Sequence, residues 1–132
     1  MVIVDTNVLL DVVSGNPTWL PWSAAQMLTL SRVHELVINP IIYAELSVSF
    51  QSVAEVDESL ERMNLTLKDL PTEVAFFAGR AFLQYRRSGG TRTNVLPDFF
   101  IGAHAQVLGA SLLTRDTRRY STYFPTVPLI TP

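Results

Sequence analysis

The sequence predicts an α/β fold in which a mostly parallel sheet is covered by helices on both faces. Short apolar runs alternate with longer segments whose apolar residues recur every three or four positions, as in strands alternating with amphipathic helices. The runs Val2-Ile3-Val4 and Leu36-Val37-Ile38 contain no polar residue, which is typical of parallel strands buried on both faces. The length of 132 residues and the hydrophobic share of 48% predict a single packed domain over residues 1–132.

The first third of the chain predicts two strands and two helices. The β-branched run Val2–Val4 indicates a strand, and a helix over about residues 7–14 follows it. That helix is expected to end at Gly15, Asn16 and Pro17, which disfavour helical continuation. A second helix is predicted from Trp19 to Glu35, before the strand at residues 36–38.

The middle of the chain contains clear helix starts. Asn39 can cap a helix and Pro40 suits its first position, so a helix is predicted over about residues 40–50. Ser52 with Glu55 three residues later has the spacing of a capping box, and this helix is expected to reach Met63. A short strand is predicted over residues 65–67.

The second half predicts two long helices, then a strand, a short helix and a last strand. The first helix begins at Pro71, has one apolar stripe and ends at Gly89-Gly90. The second runs from Pro97 to about Leu108, with Gly109 as its C-terminal cap. The remaining elements are expected at residues 111–114, 116–120 and 127–130.

Composition excludes several classes of site. The chain has no cysteine, so a disulfide scaffold, a thiolate metal site and a cysteine nucleophile are excluded. With two histidines, a histidine-rich zinc site is not expected. No apolar run reaches the roughly 18 residues of a membrane span, and the first residues lack the basic region of a signal peptide. We therefore expect a cytoplasmic protein that does not bind a membrane.

The charge is distributed unevenly along the chain. Residues 1–76 contain ten acidic and three basic residues, a net charge of −7. Residues 77–132 contain seven arginines and two aspartates, a net charge of +5. An arginine-rich half beside an acidic half indicates an anionic partner and a site built from carboxylates.

Two aspartates follow predicted strands directly. Asp5 follows the first strand and Asp116 follows the strand that ends at Thr114. The carboxyl ends of parallel strands meet at one edge of a sheet, where sites form, so both carboxylates are expected there. The alternative for each is a helix N-cap without further function.

Two further acids are placed on helices. Glu45 lies beside the apolar stripe of its helix, and glutamate is rarely buried unless it is paired or binds a metal. Its alternative is a side chain at the stripe's margin that reaches solvent. Asp98 lies in the first turn of its helix on a face of small residues, Gly102, Ala105 and Gly109, which predicts close packing against the sheet. Its alternative is a favourable interaction with the helix dipole.

Four carboxylates at one edge would need protons or cations. Two carboxylates about 4 Å apart repel by roughly 4 kcal/mol at an effective dielectric constant of 20. Oxygen ligands suit Mg²⁺ or Mn²⁺, and such metals beside an arginine-rich surface indicate phosphate chemistry.

Four segments, in this order and spacing, resemble the conserved blocks of the PIN-domain family, and most closely its VapC toxins. They are Val2-Ile3-Val4-Asp5-Thr6-Asn7, Ile42-Tyr43-Ala44-Glu45-Leu46, Leu96 to Ala105, and Leu112-Leu113-Thr114-Arg115-Asp116. The resemblance implies a three-layer α/β/α fold and a ribonuclease in which Asp5, Glu45, Asp98 and Asp116 are catalytic and bind Mg²⁺ or Mn²⁺. It assigns Thr6, Asn7 and Thr114 to accessory positions. It also implies an RNA substrate, a VapB-like antitoxin and a homodimer.

Several other residues have weaker signals. Arg115 and Arg118 flank Asp116 and are expected to contact RNA phosphates. The other arginines of the basic half lie among Tyr85 and Tyr120, which suggests an RNA surface with aromatic platforms; helix C-terminal charge is the alternative for Arg86 and Arg87. Further expectations concern Asp11 (a solvated acid or a peripheral metal-site group), His34 and His104 (structural or surface roles), and Trp19 and Trp22 (core or partner groove).

Three other functions are alternatives. A phosphatase of the haloacid-dehalogenase type would use Asp5 as nucleophile, but it needs a second aspartate where this chain has Asn7, and a catalytic lysine, whereas Lys68 is the only lysine. A non-catalytic RNA- or protein-binding module would be favoured by a missing acid, and none is missing. A PIN nuclease of RNA processing also fits the motifs.

Overall fold

The computed structural model describes all residues, 1–132, and contains one five-stranded parallel sheet. The strands are β1 (Val2–Val4), β2 (Leu36–Ile38), β3 (Leu65–Leu67), β4 (Ser111–Leu113) and β5 (Leu129–Ile130). Every neighbouring pair is parallel, and the spatial order is β3-β2-β1-β4-β5. The predicted α/β class is confirmed.

Seven helices flank the sheet in an α/β/α arrangement. They are α1 (Thr6–Ser14), α2 (Leu20–Ser31), α3 (Pro40–Ser47), α4 (Val53–Arg62), α5 (Thr72–Arg87), α6 (Pro97–Leu108) and α7 (Arg118–Tyr123). The predicted caps are present: Asn39 accepts from the Ile42 N–H, Ser52 accepts from the Glu55 N–H, and Gly109 takes a left-handed conformation after α6. No helix is both long enough and apolar enough to span a membrane.

The sheet has its switch point between β1 and β4. The chain adds β2 and then β3 on one side of β1, and afterwards returns to place β4 on the other side. Ile3 therefore pairs with Val37 on one side and with Leu112 on the other. In open parallel sheets, ligands bind beyond the carboxyl ends of the strands at such a point. Asp5 and Thr114 are the residues that leave the sheet there.

Several predicted boundaries are wrong. The helix predicted to Glu35 ends at Ser31, and the helix predicted to about residue 50 ends at Ser47, because each gives way to turns that lead to the next element. The short helix spans residues 118–123 and not 116–120, since the preceding backbone is held in the site described below. The last strand begins at Leu129, two residues later than predicted.

Gly102, on the small face of α6, has a packing contact that the sequence did not indicate. The aromatic ring of Phe124 occupies the space beside Gly102, and a Cβ at that position would overlap the ring. The small residue is therefore needed for contact with the segment after α7.

Candidate active site

Asp5 stands at the junction of β1 and α1 and is only 5% exposed. Its Oδ1 accepts a hydrogen bond from the Thr6 N–H at 2.7 Å, so Asp5 caps α1. Its Oδ2 accepts from the hydroxyls of Thr114 at 2.7 Å and Tyr120 at 3.1 Å, and from the Asn7 amide at 3.4 Å. Asp5 is thus a helix cap, and it is also the centre of a polar cluster.

Burial raises the pKa of Asp5 from 3.8 to about 6. The hydrogen bond from Thr114 opposes this rise, and the nearby charge of Asp98 adds to it. The donors around Asp5 therefore do not fully compensate for its removal from water. Without a cation, Asp5 holds a proton below about pH 6.

Asp98 lies in the first turn of α6 and faces Arg119 of α7. The Arg119 Nη1 lies 3.3 Å from its Oδ2, and the guanidinium also sits over the rings of Phe99 and Tyr85 at 5.7 and 5.8 Å. Burial raises the pKa of Asp98, Arg119 opposes the rise, and the charge of Asp116 adds to it. The sequence placed Arg119 only in a basic run, without indicating this ion pair.

Tyr120 is the site residue that the sequence analysis missed. It was expected as an aromatic platform for RNA, but it is fully buried and its hydroxyl donates to Asp5. Burial raises the pKa of Tyr120 far above its ordinary value, and the charges of Asp5, Asp98 and Asp116 raise it further. All three carboxylates thus act on one hydroxyl, which stays protonated. The sequence signal that could have indicated an inward position is the four-residue spacing from Tyr120 to Phe124, which is typical of one apolar helix face.

Glu45 joins this cluster through α1. It is half-buried on α3, and its Oε1 accepts a hydrogen bond from the Thr6 hydroxyl at 2.8 Å. Thr6 is the residue whose backbone N–H is capped by Asp5. The accessory Thr6 therefore orients Glu45 and Asp5 together.

Asp116 lies in the segment between β4 and α7 and is exposed. Its backbone N–H donates to the Thr114 hydroxyl at 3.0 Å, and its Oδ1 accepts from the Arg118 N–H at 3.2 Å. Thr114 also donates to Asp5, so one hydroxyl links the ends of β1 and β4. Asn7 extends this link, because its Nδ2 lies 3.3 Å from the Thr114 hydroxyl.

The donor set fits a hard divalent cation, but the side chains do not form a closed cage. No three acidic or histidine side chains converge as a metal site in this conformation. Glu45, Asp98 and Asp116 each accept from a protein donor instead. Carboxylate oxygens are the ligands that Mg²⁺ and Mn²⁺ prefer, and the raised pKa values of Asp5 and Asp98 indicate negative charge that lacks compensation. Binding a cation would therefore require small side-chain movements, including release of Asp98 by Arg119.

The structure corrects the expectation for Asp11 and gives Arg115 a partner that the sequence did not indicate. Asp11 is not solvated: it is 2% exposed and accepts from the Ser23 hydroxyl at 2.6 Å. Arg115 is not a free cation, because its Nε and Nη2 donate to the two oxygens of Asp11 at 2.8 and 2.9 Å. Its guanidinium also lies 5.0 Å from the centre of the Trp19 ring. Asp11 and Arg115 are 104 residues apart, and no local pattern could pair them.

The remaining residues lie outside the cluster. His104 is buried, with Nδ1 3.2 Å from the Asn39 amide nitrogen, and burial lowers its pKa, so it is neutral and structural. His34 is exposed at the turn before β2. Arg86 donates to the carbonyls of Gly90 and Arg92, in the loop that follows α5. Arg118 is exposed beside Asp116.

The chain is similar to known proteins over nearly all of its length. The sequence pattern of the PIN-domain family matches residues 2–125 of the chain. Among solved structures, VapBC2 from Rickettsia felis, bound to a DNA fragment from its promoter, superposes with a TM-score of 0.75 at 19% identity, covering 99% of this chain and 98% of that chain. VapBC-1 from nontypeable Haemophilus influenzae superposes with a TM-score of 0.72 at 18% identity, covering 99% of this chain and 98% of that chain. A toxin–antitoxin complex from Klebsiella pneumoniae superposes with a TM-score of 0.71 at 20% identity, covering 99% of this chain and 97% of that chain.

No curated protein sequence matches the chain. The family match spans nearly all of the sequence, and the structural matches share the arrangement of sheet and helices over the full length. The carboxylates described above lie in the segments that resemble the family's blocks. The chain therefore belongs to the PIN-domain family.

Proposed function

We propose that this protein is an endoribonuclease that depends on Mg²⁺ or Mn²⁺, and that it is the toxin of a VapBC-type toxin–antitoxin pair. The observation that carries the proposal is the hydrogen-bonded cluster at the switch point of the sheet, in which Asp5 accepts from Tyr120 and from the Thr114 hydroxyl that also binds the Asp116 N–H. The charge of Asp98 acts on both Asp5 and Tyr120, since it raises the pKa of each. Glu45 is attached to the same cluster through Thr6. Carboxylates that lack compensating charge at this point can hold a hard cation and work on a phosphodiester.

The site residues are proposed to divide into those that bind the cation and those that orient them. Asp5, Asp98 and Asp116 bind the cation, and Glu45 binds it or orients the attacking water. A divalent cation bound here supplies Lewis-acid activation of the phosphodiester and of water. Tyr120 and the accessory residues Thr6, Asn7 and Thr114 orient the carboxylates through the hydrogen bonds described above.

The RNA is proposed to lie in the cavity beside Asp116. This cavity has a volume of about 500 Å³ and is lined by Tyr85, Asp116, Arg118, Arg119, Thr122 and Tyr123. It combines two cations with two half-buried tyrosines, the residue types that hold a phosphate backbone and stack on bases. A neighbouring cavity on α5 is lined by Arg80 and Arg87 and shares Tyr123. A strand that passes the carboxylates can therefore continue along this basic surface.

The proposed partners come from the similar structures. Those structures are of VapBC and toxin–antitoxin complexes. By similarity of fold, we propose a VapB-like antitoxin for this chain, together with a homodimeric state and a cytoplasmic location. Expression of the chain alone should arrest growth, and co-expression of the reading frame beside its gene should restore it. Growth that is unaffected by the chain alone would contradict the toxin role.

Cleavage of RNA is expected to depend completely on the divalent cation. Purified protein should cut single-stranded RNA in Mg²⁺ or Mn²⁺, lose this activity in EDTA and regain it when the metal is added back. Mapping of the RNA ends measures the reaction. An Asp116→Asn variant controls for contaminating ribonuclease, because it should be inactive in Mn²⁺. Full activity in EDTA would contradict the metal mechanism, and RNA binding without cleavage would favour the non-catalytic module.

Replacing Arg118 by Gln should weaken RNA binding and flatten its dependence on salt. Each phosphate contact on a single strand contributes about −0.7 to the slope of log K against log salt, so the slope should decrease by about that amount. Binding is measured in Ca²⁺ at several salt concentrations with an RNA that remains uncut. Arg62→Gln removes an equal charge from the distant, exposed pair with Glu58 and should change neither quantity. An unchanged slope for Arg118→Gln would move the RNA path away from this cavity.

A further inference from the structure

An ion pair between a buried carboxylate and a half-buried arginine connects α1 to the segment that carries Asp116, outside the four carboxylates. Asp11 of α1 is 2% exposed, and both of its oxygens accept from Arg115. Its Oδ2 also accepts from Ser23 of α2, which is fully buried. A two-point arginine–carboxylate pair of this kind fixes direction as well as distance.

Arg115 is held at three points. Its guanidinium is bound by Asp11, it lies over the ring of Trp19, and its backbone N–H donates to the Asn7 Oδ1 at 3.2 Å. Arg115 stands between Thr114, which donates to Asp5, and Asp116. These contacts therefore act on the residue that joins two members of the proposed site. We call Asp11, Trp19, Ser23 and Arg115 the clamp.

We propose that the clamp is a positioning device for the proposed nuclease reaction: it holds residues 114–117 so that Asp116 stays bound to the Thr114 hydroxyl that donates to Asp5. Arg115 then acts through the backbone of its own segment and does not contact RNA. Asp116 is exposed, and its only other described restraints are local bonds to Thr114 and Arg118. The clamp supplies the long-range restraint from α1 and α2. This inference rests on the proposed function.

The clamp and a phosphate contact predict opposite results for two single variants. If Arg115 binds phosphate, Asp11→Asn releases the guanidinium and should strengthen RNA binding, whereas Arg115→Gln should weaken it. If the clamp positions Asp116, both variants should weaken Mn²⁺ binding, by roughly 10- to 100-fold as for other residues that orient metal ligands. Both should leave RNA affinity at saturating Ca²⁺ unchanged. Isothermal titration with Mn²⁺ and RNA binding measure the two effects.

Amide hydrogen exchange gives a measurement that does not depend on activity. Release of the clamp should accelerate exchange over residues 114–118 and leave exchange in β2 and β3 unchanged. Arg115→Lys keeps the charge and loses the two-point geometry, so it should resemble Arg115→Gln if the clamp acts, and the wild type if Arg115 binds phosphate. Arg62→Gln, in an exposed pair, is the matched control and should match the wild type throughout.

The design covers variants that fail to fold. Arg115→Gln leaves a buried carboxylate unpaired, which is strongly destabilising, whereas the double variant Asp11→Asn, Arg115→Gln removes both charges. We expect the double variant to fold. It should show the same loss of Mn²⁺ affinity as the two single variants, because all three remove the same ion pair between Asp11 and Arg115. Wild-type exchange and Mn²⁺ affinity in the double variant would overturn the proposal. If the wild type cleaves no RNA, the proposed function fails, while the exchange data still decide the clamp.

Discussion

Replacing Asp98 by Asn is expected to slow RNA cleavage by about a hundredfold or more, because one charged metal ligand is lost and metal activation accounts for several kcal/mol of the barrier. The metal-free protein should keep or gain thermal stability. The pKa of Asp98 is raised by burial despite the ion pair with Arg119, which shows that its surroundings disfavour the charged form. The measurements are cleavage rates in Mn²⁺ and thermal unfolding in EDTA.

The matched control for Asp98→Asn is Glu58→Gln, which removes a carboxylate of an exposed ion pair and should affect neither rate nor stability by much. A strong loss of stability in Asp98→Asn would show that the helix dipole and Arg119 stabilise the charged carboxylate more than its neighbours destabilise it. A cleavage rate near that of the wild type would remove Asp98 from the site.

Stabilisation by Mn²⁺ is expected to be largest at neutral pH and to fall by about 1.4 kcal/mol for each pH unit below about pH 6. Asp5 must lose its proton to bind a cation, and its pKa in the folded protein is about 6. Below that value, each pH unit should weaken Mn²⁺ binding about tenfold through this group alone. Thermal unfolding with saturating Mn²⁺ and with EDTA, between about pH 4 and pH 8, tests this expectation.

Without metal, Asp5 should stabilise the folded protein most at low pH, which is opposite to its effect on Mn²⁺ binding. Its folded pKa lies above the unfolded value of 3.8, so the proton binds more tightly to the folded protein. The associated stability is fully present below about pH 4 and is lost as the pH rises to about 6. The rise in pKa corresponds to roughly 3 kcal/mol at neutral pH.

The difference between the thermal stability in saturating Mn²⁺ and the thermal stability in EDTA should therefore increase as the pH rises. Asp98→Asn should move the acid-side transition to lower pH, because the charge of Asp98 contributes to the raised pKa of Asp5. Stabilisation by Mn²⁺ that is equal at about pH 5 and pH 7 would mean that Asp5 is not a ligand.

Local signals in the sequence were sufficient for the fold class and for most elements. Asn39, Ser52 and Gly109 cap helices as predicted, because capping depends on neighbouring residues alone. The ends of α2 and α3 were predicted too far along the chain, since no glycine or proline marks them and the turns that follow are set by the path to the next element.

The sequence by itself determined the parallel sheet, the acids that follow its strands and the family to which the chain belongs. Only the tertiary structure decided which distant side chains meet: Asp11 with Arg115, Asp98 with Arg119, and Asp5 with Tyr120. The physical reason is that local sequence patterns depend only on residues close together along the chain. Periodicity and capping report neighbours within about one helical turn, whereas these pairs depend on the order in which the strands assemble, which places β4 beside β1.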